Sequence, residues 1–582
     1  MKCLKRHIDK ITQEHSSDSL FPERPTIDFY PRCSGARGDL KVLKRSKKNV
    51  VTLDIGPFRA RETVLHDSEG RVYRSRQLRA LSPYRCTFGY DVLVDVGRAL
   101  FMHGHNEQQI IAALGRKNVS ISASEIGFLG KKFIIYLALA HRQSRHRLKQ
   151  AMAMRGGYIL HLDGTCEADS PHLFTGIDGI AQIVLDNIKL PSEKAKLIIP
   201  FLRRIKRQYG DPIALVHDMG RGILSAVNVV FKDVPDFICH FHFLRDIGKD
   251  LFEKEYAQIR NRLKKHKIRS VLRQRLKTLE KVIGNDARTV CRLAADIERG
   301  CIDPPAMQKM PALAAYALIY WSMDTSALEG YGFPFDCPHL TFYRRLRVLH
   351  DLTDAQLILS KELSRLWRAL TRIVEDQQLT RAAAQMQKKL ETFKKLRDAL
   401  SIALPQGKKG LNDDGQDVDI KSIEEKVTLF RKKMIPETGE YQKMTAQIDK
   451  YWGKLFADPI AVNTPTGQVT IQPQRTNNLL ERFFRDFKRR NRRRSGTISL
   501  NKTLKSILAD APLVKNLDNP EYLEIILDGC STLEERFGKI DSRLVTDQLK
   551  AEQKKQQKIS PEMKKIIQRP DLPDRLMALL AA

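Results

Sequence analysis

The clearest pattern in the chain lies between residues 155 and 245, where apolar runs of strand length give way to a helical period and back again. "GGYILHLDGTCE" is an apolar run that closes on an acid, Asp163. "HLFTGID" and "AQIVLDNIKL" follow as two more such runs separated by a glycine-containing turn, which predicts three strands in hairpin order. In "SEKAKLIIPFLRRIKRQYG" the period changes, and Leu197, Ile198, Phe201, Leu202 and Ile205 recur on one face of a helix. "DPIALVHDMGRG" is a buried strand that again ends in an acid, Asp218; a helix over "RGILSAVNVVFKD" and a strand over "DFICHFHF" complete the series. Hairpin strands followed by alternating helices and strands predict a mixed α/β sheet of five strands.

The flanking regions read differently. Residues 1–88 are polar, with short strand-like runs such as "NVVTLDI" and "GRVYRS", and predict a small β-rich module. "YPRCSG" and "YRCTFG" look like halves of a zinc ribbon, but Cys33 and Cys86 each stand singly, and adding His66 still falls short of four ligands, so zinc is not expected. Residues 89–150 turn helical. "QQIIAALGRKNVSISASEIGFLGKKF" has a short helix, a glycine break and a serine-rich helix start, the layout of a helix-turn-helix; a plain helical hairpin fits it equally. Residues 151–250 hold the α/β segment. Residues 251–470 are mostly helical, broken by the turn-rich "GYGFPFDCPHLTF" and by an exposed, mobile loop at 404–420. Helices resume over 471–546, and 547–582 is a charged helical tail.

Charge narrows the partner. The chain carries 101 Lys and Arg against 68 Asp and Glu, a net +33, and an excess of that size calls for something anionic to neutralise it, so nucleic acid is the leading partner. The basic residues are spread through globular patterns rather than gathered on one amphipathic anchor, which argues against an anionic membrane. No apolar run has the length of a membrane span and the N-terminus lacks a signal-peptide core, so a cytoplasmic, nucleoid-associated protein is expected. Nine scattered cysteines without a C-x-x-C pair argue against a disulfide framework.

The candidate chemistry rests on three acids. Asp163 and Asp218 stand at equivalent points, each at the carboxyl end of an apolar strand. If those strands are neighbours, two hard oxygen ligands meet and invite Mg²⁺ or Mn²⁺. Two such ions about 4 Å apart can activate a hydroxyl and stabilise the leaving oxygen of a phosphodiester. Glu481 in "RTNNLLERFFRDFKRRNRRRSG" is the candidate third carboxylate. Simpler roles compete: Asn478-x-x-Glu481 matches a capping box, and each aspartate could cap the turn after its strand. Leu479, Leu480, Phe483, Phe484 and Phe487 form a wide apolar face on the glutamate helix. Arg482, Arg485, Lys488, Arg489, Arg490, Arg492, Arg493 and Arg494 gather positive charge suited to DNA phosphates. Asp178, Asp186 and Asp236 are weaker rivals for the acidic positions. In "CHFH", strand alternation would put Cys239 and Phe241 on one face and His240 and His242 on the other, with Cys239 in the core and His242 at the site edge.

With these residues in hand, the sequence resembles the DDE transposases of the RNase H-like superfamily, in particular the Mutator-like and hAT group and its bacterial insertion-sequence relatives. The resemblance is carried by "LHLDGT", "ALVHDMGRGILSAV", the C-x-x-H pair Cys239 and His242, and "TNNLLERFFRDFKRR". It implies an RNase H-like core interrupted by an all-helical insertion, Asp163, Asp218 and Glu481 as catalytic metal ligands, and strand cleavage and joining at terminal inverted repeats. It also implies a homodimer or larger assembly, a bacterial or archaeal source, and an insertion aromatic that stacks on a flipped base, for which Trp321, Trp367 and Trp452 are available. A catalytically silent DNA-binding protein and a structure-selective nuclease remain alternatives.

Overall fold

The apolar runs between residues 155 and 245 fold as a five-stranded mixed sheet in this computed structural model, which describes residues 25–33, 39–283, 295, 298–300, 310–324, 330–354, 361–403, 419–434, 439–556 and 561–581. The chain forms two units: Met1–Asp236, Ile460–Ile471 and Leu479–Ala582 make the first, Phe237–Pro459 and Gln472–Asn478 the second.

The first unit opens with a small sheet of β1 (Thr26–Phe29), β2 (Lys41–Thr52), β3 (Gly56–His66) and β4 (Val72–Tyr73). β3 pairs antiparallel with β2 and β4 and parallel with β1, and Phe29, Val50, Ile55, Phe58, Ala60 and Leu78 close a core on it. β2 is longer than the run "NVVTLDI" suggests. Its first five residues, Lys41–Arg45, are exposed, so no alternation marks them, and it is the ladder to β3 that holds them extended. Helices Tyr90–Arg98, Glu107–Gly115 and Ala123–Gln143 follow. Asn106 and Ser122 cap the second and third of these, accepting the amides of Gln109 and Glu125. The helix Ala123–Gln143 is mostly buried from Leu129 onward, and its exposed residues gather in the first turns, with Ser124, Gly127 and Phe128, apart from Lys131 and the terminal Gln143. Most of it is therefore a core element of the unit.

The central sheet contains β5 (Ile159–Thr165), β6 (His172–Asp178), β7 (Ile183–Leu190), β8 (Ala214–His217) and β9 (Asp236–Ile238), in the order β7-β6-β5-β8-β9. β5, β6 and β7 are antiparallel, and β8 runs parallel to β5. Directly opposed residues share a face. Leu162, Gly176 and Asp186 therefore look to one side, where helix Ala195–Tyr209 packs with Ile198, Phe201, Leu202 and Ile205 buried and Phe201 edge-on to Phe174. Asp163, Thr175 and Asn187 look to the other side. There Leu173 packs with Leu500 and Leu504, and Phe487 lies against them. A hairpin the sequence pattern does not announce, β10 (Ile460–Thr464) and β11 (Gly467–Ile471), belongs to this unit; most of its residues are exposed, which leaves little apolar signal.

One expectation is corrected. "CHFH" is not strand: β9 ends at Ile238, Cys239 is the cap residue, and His240 begins a helix that runs to Lys265. Four residues fit a period of two, but Phe243, Leu244, Ile247, Leu251 and Phe252 continue a period of 3.6, and the longer pattern prevails. His240 and His242 thus do not share a strand face.

The second unit is helical, built from His240–Lys265, Ile268–Ile283, Met310–Met323, Pro338–Asp354, Lys361–Val374, Gln377–Leu400, Ile420–Met434 and Gln442–Leu455. Most of the loop expected at 404–420 lies outside the described residues.

Candidate active site

In the parallel pair of β5 and β8, Leu160 stands opposite Leu215 and Leu162 opposite His217. The next residue on each strand is an acid. Asp163 and Asp218 therefore occupy the same level at the carboxyl end of neighbouring strands, held there by Leu160, Leu162, Leu215 and Val216, all fully buried. The sequence condition for the two acids to meet is satisfied by topology.

Each carboxylate takes a local backbone hydrogen bond. Asp163 Oδ1 accepts from the Gly164 amide at 2.7 Å and Asp218 Oδ1 from the Gly220 amide at 2.9 Å. Gly222 opens the helix after β8 so close to the Glu193 carbonyl that a Cβ there would sit 1.8 Å from it, which makes glycine obligatory at this approach.

Glu481 lies in the first turn of helix Asn478–Ser495, whose Leu480, Phe483 and Phe484 are buried in the first unit's apolar cluster. Its charge is felt at Asp163. Burial pushes the Asp163 carboxyl well above the ordinary carboxylate range; Asp218, Glu481 and Glu193 push it the same way, against the single bond from Gly164. Burial and the neighbouring acids thus outweigh the single amide donor at Asp163.

Asp218 and Glu481 are thus both within electrostatic reach of Asp163. Among the described residues, however, no group of three or more His, Cys, Asp or Glu stands in a ready ligating arrangement. By donor chemistry they suit a hard divalent ion, and side-chain closure would be needed to bind one. Glu193 is a fourth acid at the site that sequence reasoning missed. It precedes a helix, carries no motif, and bonds His172 Nδ1 at 3.0 Å; only the fold brings it near Asp163.

The basic residues divide into two sets. Arg482, Arg485, Lys488, Arg489, Arg492 and Arg493 are exposed, while Arg490 and Arg494 are partly buried. Arg490 donates to the Phe101 carbonyl at 3.3 Å and pairs with Asp518 at 3.7 Å. Burial lowers the pKa of Arg494, and Glu107 acts in the opposite direction. Lys488 is near enough to the end of β5 to lower the Cys166 thiol against the larger upward push of burial and Glu193.

Cys239 and His242 belong to the second unit, both buried. Cys239 Sγ accepts the Asn477 amide at 3.2 Å. Burial, helped by Arg245 and Lys249, lowers the pKa of His242 to about 3, so it is neutral. The rival acids have local partners: Asp178 accepts from the Ile180 amide and lies 3.6 Å from Arg155, Asp186 pairs with Arg204, and Asp236 lies 3.3 Å from His217. Of the tryptophans, Trp321 is 41% exposed with the Arg345 guanidinium 5.0 Å above its ring, while the Trp452 indole donates to Glu424.

No family model matches the chain, and no curated protein matches it. Among solved structures it is similar to a chain of the Drosophila P element transposase strand transfer complex, at 12% identity and a TM-score of 0.29, over 79% of this chain and 96% of that one. A likeness at that TM-score does not establish a shared fold.

Proposed function

We propose that the protein is a DDE-type DNA transposase that cleaves and joins DNA strands at terminal inverted repeats, with Asp163, Asp218 and Glu481 as the metal-holding acids. The observation that supports this is the convergence of three acids, two of them at one level on parallel neighbouring strands, beside a helix with six exposed basic residues. Three antiparallel strands followed by a fourth parallel to the first also fit an RNase H-like core, with the helical second unit as its insertion.

Mg²⁺ or Mn²⁺ bound by the three acids would supply charge neutralisation and Lewis acidity for phosphodiester chemistry. The chain's own residues would do the rest. Arg482, Arg485, Lys488, Arg489, Arg492 and Arg493 would hold the phosphate backbone, each neutralised phosphate steepening the salt dependence of binding. Arg490 and Arg494 would fix the helix that carries Glu481. The exposed Trp321 would be the tryptophan to stack on an unpaired base.

The deciding experiment is cleavage of labelled DNA bearing the element's flanking ends, with Mg²⁺ or Mn²⁺ against EDTA, for wild type and Asp218→Asn. Metal-dependent nicking at the end, absent in the variant, is expected. Tight end binding with no cleavage under any metal would identify a silent DNA-binding protein, and cutting governed by structure rather than sequence would identify a nuclease.

A further inference from the structure

The charged tail ends on a helix of a different kind, Leu572–Ala581, in which no residue is buried. Leu572, Leu576, Leu579 and Leu580 recur at i, i+4, i+7 and i+8 and form one apolar stripe, with Met577 beside it. Leu576, Met577, Leu579 and Leu580 are 47%, 68%, 74% and 82% exposed. A helix of 10 residues is marginal in water by itself and owes its stability to burying such a stripe against something else. Large apolar side chains gathered in solvent mark a contact surface.

Charge narrows what covers the stripe. Residues 571–581 carry two acids, Asp571 and Asp574, and one base, Arg575, which makes a net −1 in a chain of net +33. DNA and anionic membranes select basic faces, so neither suits this segment. The strongly basic body of the chain does. That body also offers a groove of about 260 Å³ between the first turns of helix Ala123–Gln143 and helix Ser542–Gln556. Leu508 and Leu549 are buried at its base, Gly127 and the exposed Phe128 line it from the first helix, and Lys131 and Glu552 add one charge of each sign. The chain's own tail leaves the groove open, since no residue of 561–581 lines it.

We infer that helix Leu572–Ala581 of one copy of the chain seats its leucine stripe in this groove of a second copy, and that the second copy returns the contact. Exchange of the same element in both directions closes a symmetric pair. The exposed Lys131 at the groove suits the acids of the incoming tail. One seated tail covers roughly 800 Å² counting both surfaces, and the reciprocal pair about 1,600 Å², the size of a stable interface; a tail folded back on its own chain would have only half of that. The contact needs no DNA and stands apart from the function proposed above.

Sedimentation of the full chain without DNA, at low micromolar concentration, tests the pairing. The wild type is expected to be a dimer. Leu576→Asp combined with Leu580→Asp should raise the dissociation constant about tenfold or more, and Gly127→Gln should do the same from the groove side. Neither change disturbs the fold: the tail helix has no buried residue, and a Cβ at Gly127 would meet nothing within 4 Å. A second arm separates exchange between copies from a fold-back. Chains carrying Gly127→Cys are mixed with chains carrying Leu580→Cys under a mild oxidant, and a covalent dimer should form well beyond what either chain gives alone. A monomeric wild type, a dimer that survives the tail or the groove variant, or a mixture that cross-links no more than its parts would overturn the inference.

Discussion

Asp163 and Asp376 are aspartates largely withdrawn from solvent, one at the end of a strand in the first unit and one at the start of a helix in the second, and their surroundings differ in sign. Asp376 Oδ2 accepts from Arg262 Nε at 2.8 Å and His266 Nε2 at 2.7 Å, while Oδ1 accepts the amides of Gln378 and Leu379 at the start of helix Gln377–Leu400. Burial alone would raise its pKa, but His266, the Leu379 amide and Arg262 outweigh it and bring it down to about 2. Asp163 has one backbone donor and three acids around it, and its pKa goes up. A buried carboxylate saturated with donors is holding the protein together. One set among like charges is a cost to the fold, and under the proposed function it is the place a cation would take.

The sharpest way to break this contrast is to change Glu481. Glu481→Gln removes a like charge and a candidate ligand while keeping the side chain's shape. Strand cleavage should fall by about a thousandfold or more, the equivalent of several kcal/mol of lost transition-state stabilisation, while end binding survives in a filter or mobility assay. A variant that still cuts would make Glu481 a helix cap and place the third ligand elsewhere.

Next in size is Asp376→Asn. The amide still caps the helix but cannot answer Arg262 and His266, so the second unit should lose about 2 kcal/mol near neutral pH, read by hydrogen exchange along Gln377–Leu400. The sign follows from a depressed carboxylate: its contribution is present above the unfolded value of 3.8 and is lost as pH falls toward about 2. Wild type and variant should therefore converge in acid. A gap that persists there would mean the loss is steric rather than electrostatic.

These aspartates also mark what the sequence could reveal. Asp163 and Asp218 were legible because an apolar run ending in an acid is a local pattern, and β5 to β8 follow such runs closely. Glu481 was legible only through its neighbours, since a glutamate in a first helical turn is ordinary. Nothing local signals Glu193. Its meaning depends on strand register and on which turn meets which strand end, and register is a long-range property. The same reason explains why β10 and β11 went unannounced and why "CHFH", short enough to fit two periods, took the helical one from the residues after it.

The smallest expected effect tests the comparison most directly. Asp163→Asn is nearly isosteric, and the amide cannot repel Asp218 and Glu481. If the surroundings of Asp163 are as unfavourable to charge as they stand, the metal-free variant should be as stable as wild type or slightly more so, by roughly 1 kcal/mol or less, which is a shift of about 2–4 °C at most in a unit of this size. Millimolar Mg²⁺ should then raise the melting temperature of the wild type, because an ion that binds only the folded state stabilises it, and should leave the variant little changed. The same substitution at Asp376 goes the other way. If Asp163→Asn instead melts well below wild type without metal, Asp163 is a structural carboxylate like Asp376, and the three acids have come together for the sake of the fold.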